Sequence, residues 1–365
     1  MRKTSLFSIA AVVVCAFVVL VSCAPKKTAS GAVMIKGADS FIAGEVTDTG
    51  GIDDRSFNAS AWKGLQNAQA NLGVQVQYLG SANQSDYAPN IQQFVTKKAN
   101  IIVTVGFLMG DDTAKAAKDN PNQKFAIVDY AYDPALPNVL ALTYQTDQAA
   151  FLAGYLAAGM SKTGKVGSFG GMNIPTVTIF MNGFAAGVRY YDQKNKAKVQ
   201  VLGWDSDKAA GTFTNDFTNQ AKGKTVTDAL INQGADVVLP VAGSVGLGAA
   251  AAVQQHNQAS PDKPVYLIWV DTDGYISAPQ YGSLLLTSVM KGIGASVEEA
   301  TTEALKGTFK GGNYSGTLAN KGVDIAPYHD YDSKIPAQLK ADIETIKAGI
   351  IAGSISVDPK SYPKP

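Results

Sequence analysis

Phe57 and Asn58 stand side by side where a helical pattern begins, directly after a polar turn with paired glycines at residues 48–55. A large aromatic at the exposed mouth of a helix costs solvation unless something flat covers it, and the neighbouring carboxamide offers both a donor and an acceptor. The pair reads as a clamp for an aromatic ring with polar edges. A structural reading stands beside it, in which Phe57 pins the helix to a sheet while Asp53, Asp54 and Ser56 cap it. Asp48, Asp129, Gly246 and Asp271 follow the ends of strand-like runs, and Lys291 follows a later strand. One carboxylate at a strand tip caps a helix, whereas several converging on one crevice suit a ligand. Phe217, in Thr212-Phe213-Thr214-Asn215-Asp216-Phe217, would cover the second face of a flat ring if it stood opposite Phe57. Each face of such a stack contributes ~1–3 kcal/mol.

Other chemistries lack parts. His256 and His329 are the only histidines and neither has a metal-like neighbour spacing. Asp271-Thr272-Asp273-Gly274 opens like a calcium loop without the third oxygen ligand or the distal Glu. Gly223-Lys224-Thr225 ends like a phosphate loop, but Thr218 occupies the position of the required glycine. Gly243-Ser244-Val245-Gly246-Leu247-Gly248 follows a strand without the glycine order of a dinucleotide site. Ala242-Gly243-Ser244-Val245-Gly246 is one residue away from a nucleophile elbow, and His256 lies about three turns further along the same helix. The chain is therefore expected to bind rather than to catalyse, without metal or cofactor.

These residues need a scaffold that brings strand ends together. The run 41–46 feeds the turn before Phe57; Trp62, Leu65, Ala68 and Leu72 then recur at helical spacing up to Gly73, and Val74, Val76 and Tyr78 alternate as a strand. A helix around Ile91, Phe94 and Val95 precedes the buried strand 101–105, followed by strands at 125–129 and 139–144. The small-residue helix 148–160 opens a second series, with strands at 165–169, 199–204, 236–240 and 265–270. Strands alternating with helices give parallel sheets, with ligands at the carboxyl ends of the strands. The strand 284–289 and helix 294–305 are expected to return the chain to the first lobe, before a last helix at 335–351. The fold class is α/β: two Rossmann-like lobes, 38–147 with 272–322 and 148–271 with 323–365, joined by a hinge that the chain crosses more than once.

Of the 365 residues, 46% are hydrophobic and 17% charged, enough for sizeable cores. The net charge is +1, and losing Arg2 and Lys3 with a leader leaves Lys and Arg one short of Asp and Glu, so no basic field exists for nucleic acid. Arg2 and Lys3 precede an apolar run at 6–21, the pattern of a secretory signal. Leu20-Val21-Ser22-Cys23 resembles a bacterial lipobox, predicting a signal peptide at 1–22, lipidation of Cys23 and a tether at 23–37. Cys15 lies inside the leader, so a lipidated Cys23 leaves no thiol to form a disulfide. No later stretch reaches the ~18 apolar residues of a membrane span. The expected location is the extracytoplasmic face of the cell membrane.

Taken together, the lipobox, the Asp-x-x-Gly-x-x-Asp-x-Ser-Phe-Asn pattern from Asp48 to Asn58, the strand 125–129, Ala221-Lys222-Gly223-Lys224, the glycine loop after Pro240, Trp269-Val270-Asp271 and Thr287-Ser288-Val289-Met290-Lys291 resemble the basic membrane protein family. That resemblance implies a lipoprotein of type I periplasmic-binding-protein fold, binding a purine nucleoside between its lobes as a monomer and presenting it to an ABC permease. It implies that Phe57 stacks on the purine while Asn58 and Asp129 bond its edge, and that Asp48 makes a further polar contact. Asp271 and Lys291 match residues that hold ribose hydroxyls, and Gly246 a backbone contact to the sugar. An aromatic four residues before Ala221-Lys222-Gly223-Lys224 selects Phe217 as the second stacking ring, although Phe213 also resembles the family's approach to it. A sugar receptor and a nucleoside-cleaving enzyme are the competing readings.

Overall fold

The computed structural model describes residues 37–364, so the expected leader, Cys23 and nearly all of the tether lie outside the described residues. From the N-terminus, strands β1 (Ile42–Thr47), β2 (Gln75–Leu79), β3 (Ile101–Val105), β4 (Lys124–Val128) and β5 (Val139–Tyr144) alternate with helices α1 (Phe57–Leu72), α2 (Tyr87–Thr96) and α3 (Gly110–Asp119). The chain then continues through α4 (Thr146–Met160), β6 (Lys165–Gly170), α5 (Pro175–Asn195), β7 (Gln200–Leu202), β8 (Trp204–Asp205) and β9 (Ala210–Gly211). After these come α6 (Gln220–Asn232), β10 (Val237–Val241), α7 (Val245–Ala259), β11 (Tyr266–Asp271), α8 (Gly274–Ser277) and β12 (Leu285–Lys291). The last elements are α9 (Ile293–Lys306), β13 (Gly312–Gly316), β14 (Val323–Ile325) and α10 (Ala337–Ile351).

Two six-stranded sheets result, ordered β13-β5-β4-β3-β1-β2 and β14-β12-β11-β10-β6-β7. Except for antiparallel β14, all pairings within them are parallel. Parallel strands are covered on both faces, so β3 and β10, buried at every residue, read in sequence as nearly continuous apolar runs, with Thr104 the one hydroxyl in β3. This is the architecture of type I periplasmic-binding proteins.

One lobe assignment is corrected. The strand expected to carry the chain back to the first lobe instead stays in the second sheet: β12 pairs with β11 from Leu267↔Leu285 to Asp271↔Met290, and with β14 at Val289↔Ile325. The reason is the short helical connection between β11 and β12, which sets the next strand down beside its predecessor. Only after Gly292 does the chain cross, where α9 packs on α1 so closely that a Cβ on Gly64 would strike the carbonyl of Gly294. Crossings therefore lie at Gln145, at Gly292 and between Gly316 and Val323. The expected strand 199–204 is also broken, because Gly203 takes φ 79° and turns the chain into the small β8–β9 hairpin.

Within the second lobe α4 and α5 lie in backbone contact. A Cβ on Gly154 would strike the carbonyl of Phe184, and one on Gly187 the carbonyl of Phe151.

Candidate ligand-binding cleft

The carboxyl ends of both sheets face one cleft. Its wall brings together Asp48, Phe57, Asn58 and Asp129 from the first lobe with Phe217, Asp271 and Lys291 from the second. Asp54 builds the first side. Its Oδ1 accepts from the backbone N–H of Ser56 (3.0 Å) and Ala59 (3.0 Å), and its Oδ2 from that of Asn58 (2.7 Å), which satisfies the open amides at the start of α1. With the helix start held this way, Phe57 is its first residue, half-buried and in the cleft wall.

Asn58 has a different task from the one its neighbour suggested. It is only 1% exposed, and its amide donates to Asp48 Oδ1 (2.8 Å) and Asp54 Oδ2 (3.0 Å) while its carbonyl accepts from the Asp48 N–H (3.2 Å). Both donors are thus engaged within the protein, and Asn58 is a strut that presents Asp48. Asp48 Oδ1 also accepts from Gly50 N–H at 2.8 Å. Burial pushes its carboxyl up to about 6, with the bonds from Asn58 and Gly50 opposing the shift.

Asp129 and Asp271 close β4 and β11 in the same manner, both with left-handed backbones (φ 67° and 68°). Non-glycine residues held there store strain that a well-ordered surround must offset. Between them lies Lys291, whose Nζ donates to Asp129 Oδ2 at 2.5 Å and lies 3.7 Å from Asp271 Oδ1. The ammonium also lies 5.0 Å from the ring centre of Phe57 and 5.1 Å from that of Phe180. Two buried carboxylates around one buried cation leave an excess of acceptors, an arrangement suited to a ligand that donates hydroxyl protons.

The lobes touch directly above this group. Ser56 Oγ, expected only as a cap, donates to Asp271 Oδ2 at 2.6 Å, and Trp269 Nε1 donates to the Arg55 carbonyl at 3.3 Å. Ser56→Ala removes a charge-assisted bond that exists only with the lobes together, so ligand affinity should fall roughly tenfold by titration calorimetry with the fold unchanged.

Two sequence expectations need comment. Gly246 is not in the cleft wall: its N–H donates to the Gly243 carbonyl at 2.9 Å, and a Cβ there would meet the Trp269 ring at 3.5 Å. Gly243, with φ 53°, lines the cleft instead, because the turn after β10 brings the first glycine of the run to the surface and winds the second into α7. Phe217 lines the cleft, whereas Phe213 packs edge-on against Trp204 with ring centres 6.0 Å apart. His256 faces the Lys263 carbonyl at 3.1 Å in the last turn of α7, at the opposite end of that helix from Ser244, so the two do not form the pair that a nucleophile elbow needs.

Sequence reasoning missed Phe107 and Phe180, which also line the cleft. Phe107 follows Gly106 beyond the end of β3 and could have been found by the strand-end rule that selected Asp129. Phe180 lies inside α5 among apolar residues and carries no signal beyond core packing. Among the described residues no group of His, Cys, Asp and Glu is arranged to hold a metal ion, and no helix is long and apolar enough to cross a membrane.

Comparison with known proteins agrees with this geometry. Residues 41–356 match the Bmp family, described as ABC transporter substrate-binding protein PnrA-like. The chain is 31% identical to the ABC transporter nucleoside-binding protein BmpA of Lactococcus lactis, over 98% of this chain and all of that one. It is 30% identical to a CD4+ T-cell-stimulating antigen of Listeria monocytogenes, over 99% of this chain and all of the relative. Among solved structures, an ABC transporter solute-binding protein from Aeropyrum pernix superposes with a TM-score of 0.78 at 25% identity, covering 87% of this chain and 92% of that one. The chain belongs to the Bmp family of PnrA-like ABC transporter substrate-binding proteins, as its motifs implied.

Proposed function

We propose that the cleft binds a purine nucleoside and that closure of the lobes around it presents the loaded protein to an ABC permease. The observation that carries this reading is the joining of aromatic faces and a carboxylate–ammonium group in one closed cleft, Phe57 and Phe217 with Lys291 between Asp129 and Asp271. In this reading Phe57 and Phe217 stack on the base, and Asp48 and Asp129 accept from its edge. Asn58 acts through Asp48. Asp271 and Lys291 hold the ribose hydroxyls, and Gly243 takes over the backbone contact expected of Gly246. The printed name of the Lactococcus relative, a nucleoside-binding protein, supports the ligand class. Lipidation at Cys23 would hold the chain, as a monomer, on the extracytoplasmic face of the membrane.

Titration of the leaderless protein, unfolded and refolded to strip carried-over ligand, tests the proposal with inosine, guanosine, adenosine, uridine and ribose. Sub-micromolar binding of purine nucleosides with weak or absent ribose binding supports it. Silence toward every nucleoside from folded protein removes it, and release of hypoxanthine from inosine would turn the reading to an enzyme. Phe57→Ala should cost tenfold or more in affinity, the loss of one stacking face.

Acidification should also weaken binding. The Asp48 carboxyl takes up its proton as pH falls through about 6 and then no longer accepts from a base N–H. At pH 5 the ionised fraction is about a tenth, so affinity should be roughly tenfold lower than at pH 7.5. Asp48→Asn should flatten that profile; an unaltered slope would take Asp48 out of the contact set.

A further inference from the structure

The strand order sets an apolar wall between two of the cleft carboxylates. β3 lies between β1 and β4, and their registers bring Thr47, Val105 and Val128 level, so the residues that follow, Asp48, Gly106 and Asp129, leave the first sheet side by side. Gly106 takes φ 132°, and a Cβ there would lie 3.0 Å from Asp48 Oδ2. With no side chain at that tip, the next residues, Phe107 and Leu108, line the cleft on the same side as Asp48 and Asp129.

Phe107 is held from behind. Its ring packs on Tyr130, the residue after Asp129, with centres 5.2 Å apart, and Tyr130 packs on Tyr132 at 5.0 Å. The Tyr132 hydroxyl donates to the Gly110 carbonyl at 2.8 Å, and a Cβ on Gly110 would strike the Tyr130 ring. Three rings in series thus tie the loop after β4 to the start of α3, and Phe107 can retreat only by moving them.

Chemistry decides which part of a purine nucleoside meets this ring. Asp48 and Asp129 accept hydrogen bonds, and the base has N–H donors only on and around its six-membered ring, at position 1 or on amino groups at positions 2 and 6. The five-membered ring, with the sugar on its nitrogen, has none. The donor edge that faces the two carboxylates therefore also faces Phe107.

We propose that Phe107 is a specificity-determining residue, a fixed stop that limits the cleft to purine nucleosides without bulky substituents on the donor edge of the base. The inference deepens the nucleoside reading and rests on it. Larger ligands are turned away by a clash rather than by a missing attraction.

Titration calorimetry with adenosine and N⁶-benzyladenosine, and with guanosine and N²-benzylguanosine, reads the stop as the ratio of parent to derivative affinity. In the wild type each derivative should bind at least tenfold more weakly than its parent. Phe107→Ala should weaken the parents, which lose a wall, yet bind the derivatives more tightly than the wild type does, because the added ring occupies the space vacated. The ratio should fall tenfold or more. Phe107→Leu, a smaller change in volume that a packed wall tolerates more readily, should lower it in the same direction, as should Tyr130→Ala, which removes the support. A purely structural role would weaken parent and derivative alike and leave the ratio where it was. A wild-type ratio below ten for the pair whose parent binds, or a ratio unmoved by both Phe107 variants, overturns the stop while leaving the nucleoside reading in place. Folded protein that binds neither parent overturns both.

Discussion

Lys291→Met should weaken ligand binding roughly hundredfold and also destabilise the unliganded protein. The Lys291 side chain is 3% exposed and those of Asp129 and Asp271 are 7% and 8%, so the cation that offsets both carboxylates is withdrawn from water together with them. Removing one partner of a buried pair leaves an uncompensated charge, at a cost of about 3–5 kcal/mol. Ligand loses its charged donor as well, which is worth about 1.5–3 kcal/mol for a hydrogen bond to a charged group. Stability and affinity are separable: adding Asp129→Asn to Lys291→Met removes the nearer orphaned charge and should recover much of the melting temperature but none of the affinity. Recovery of affinity in the double variant would mean that Lys291 serves the fold and not the ligand. Thermal unfolding and titration calorimetry on the same preparations read both quantities.

Gly187→Ala should lower the melting temperature by more than about 6 °C, although it adds a single methyl group. In an isolated helix this change stabilises by ~0.8–1 kcal/mol. Here the new Cβ would strike the carbonyl of Phe151, and α4 and α5 can relieve that only by moving apart. Packed cores resist such insertions at ~1–3 kcal/mol or more. Because α4 starts at the hinge and α5 supplies Phe180 and Val177 to the cleft, separation of the helices should also weaken ligand binding. A melting temperature equal to or above that of the wild type would show that the helices are not held by this contact.

Most of the scaffold was readable because parallel strands are covered on both faces. Residues 101–105 and 139–144 stand out as apolar runs and coincide with β3 and β5. Asp129 and Asp271 were legible for a related reason, since a carboxylate directly after such a run must leave the sheet at its functional edge. Membership of β12 was hidden, because a buried strand carries no mark of which sheet it completes. The role of Asn58 was hidden too: its type says that it bonds something, and only the positions of Asp48 and Asp54 say what. Choosing Gly243 over Gly246 required the turn geometry after β10, which a run of glycines leaves open.

The interlaced crossings have a consequence for how the polypeptide matures. The first sheet is completed by β13, at residues 312–316, and the second by β14, at residues 323–325. Each lobe therefore waits for an edge strand made after most of the other lobe has been synthesised. Domains of a string-of-beads protein finish one by one as they leave the ribosome. In this chain neither half can, and a nascent polypeptide lacking its last fifty or so residues holds two incomplete sheets with open edges. Completion of both sheets is thereby delayed until residues 312–325 have been made.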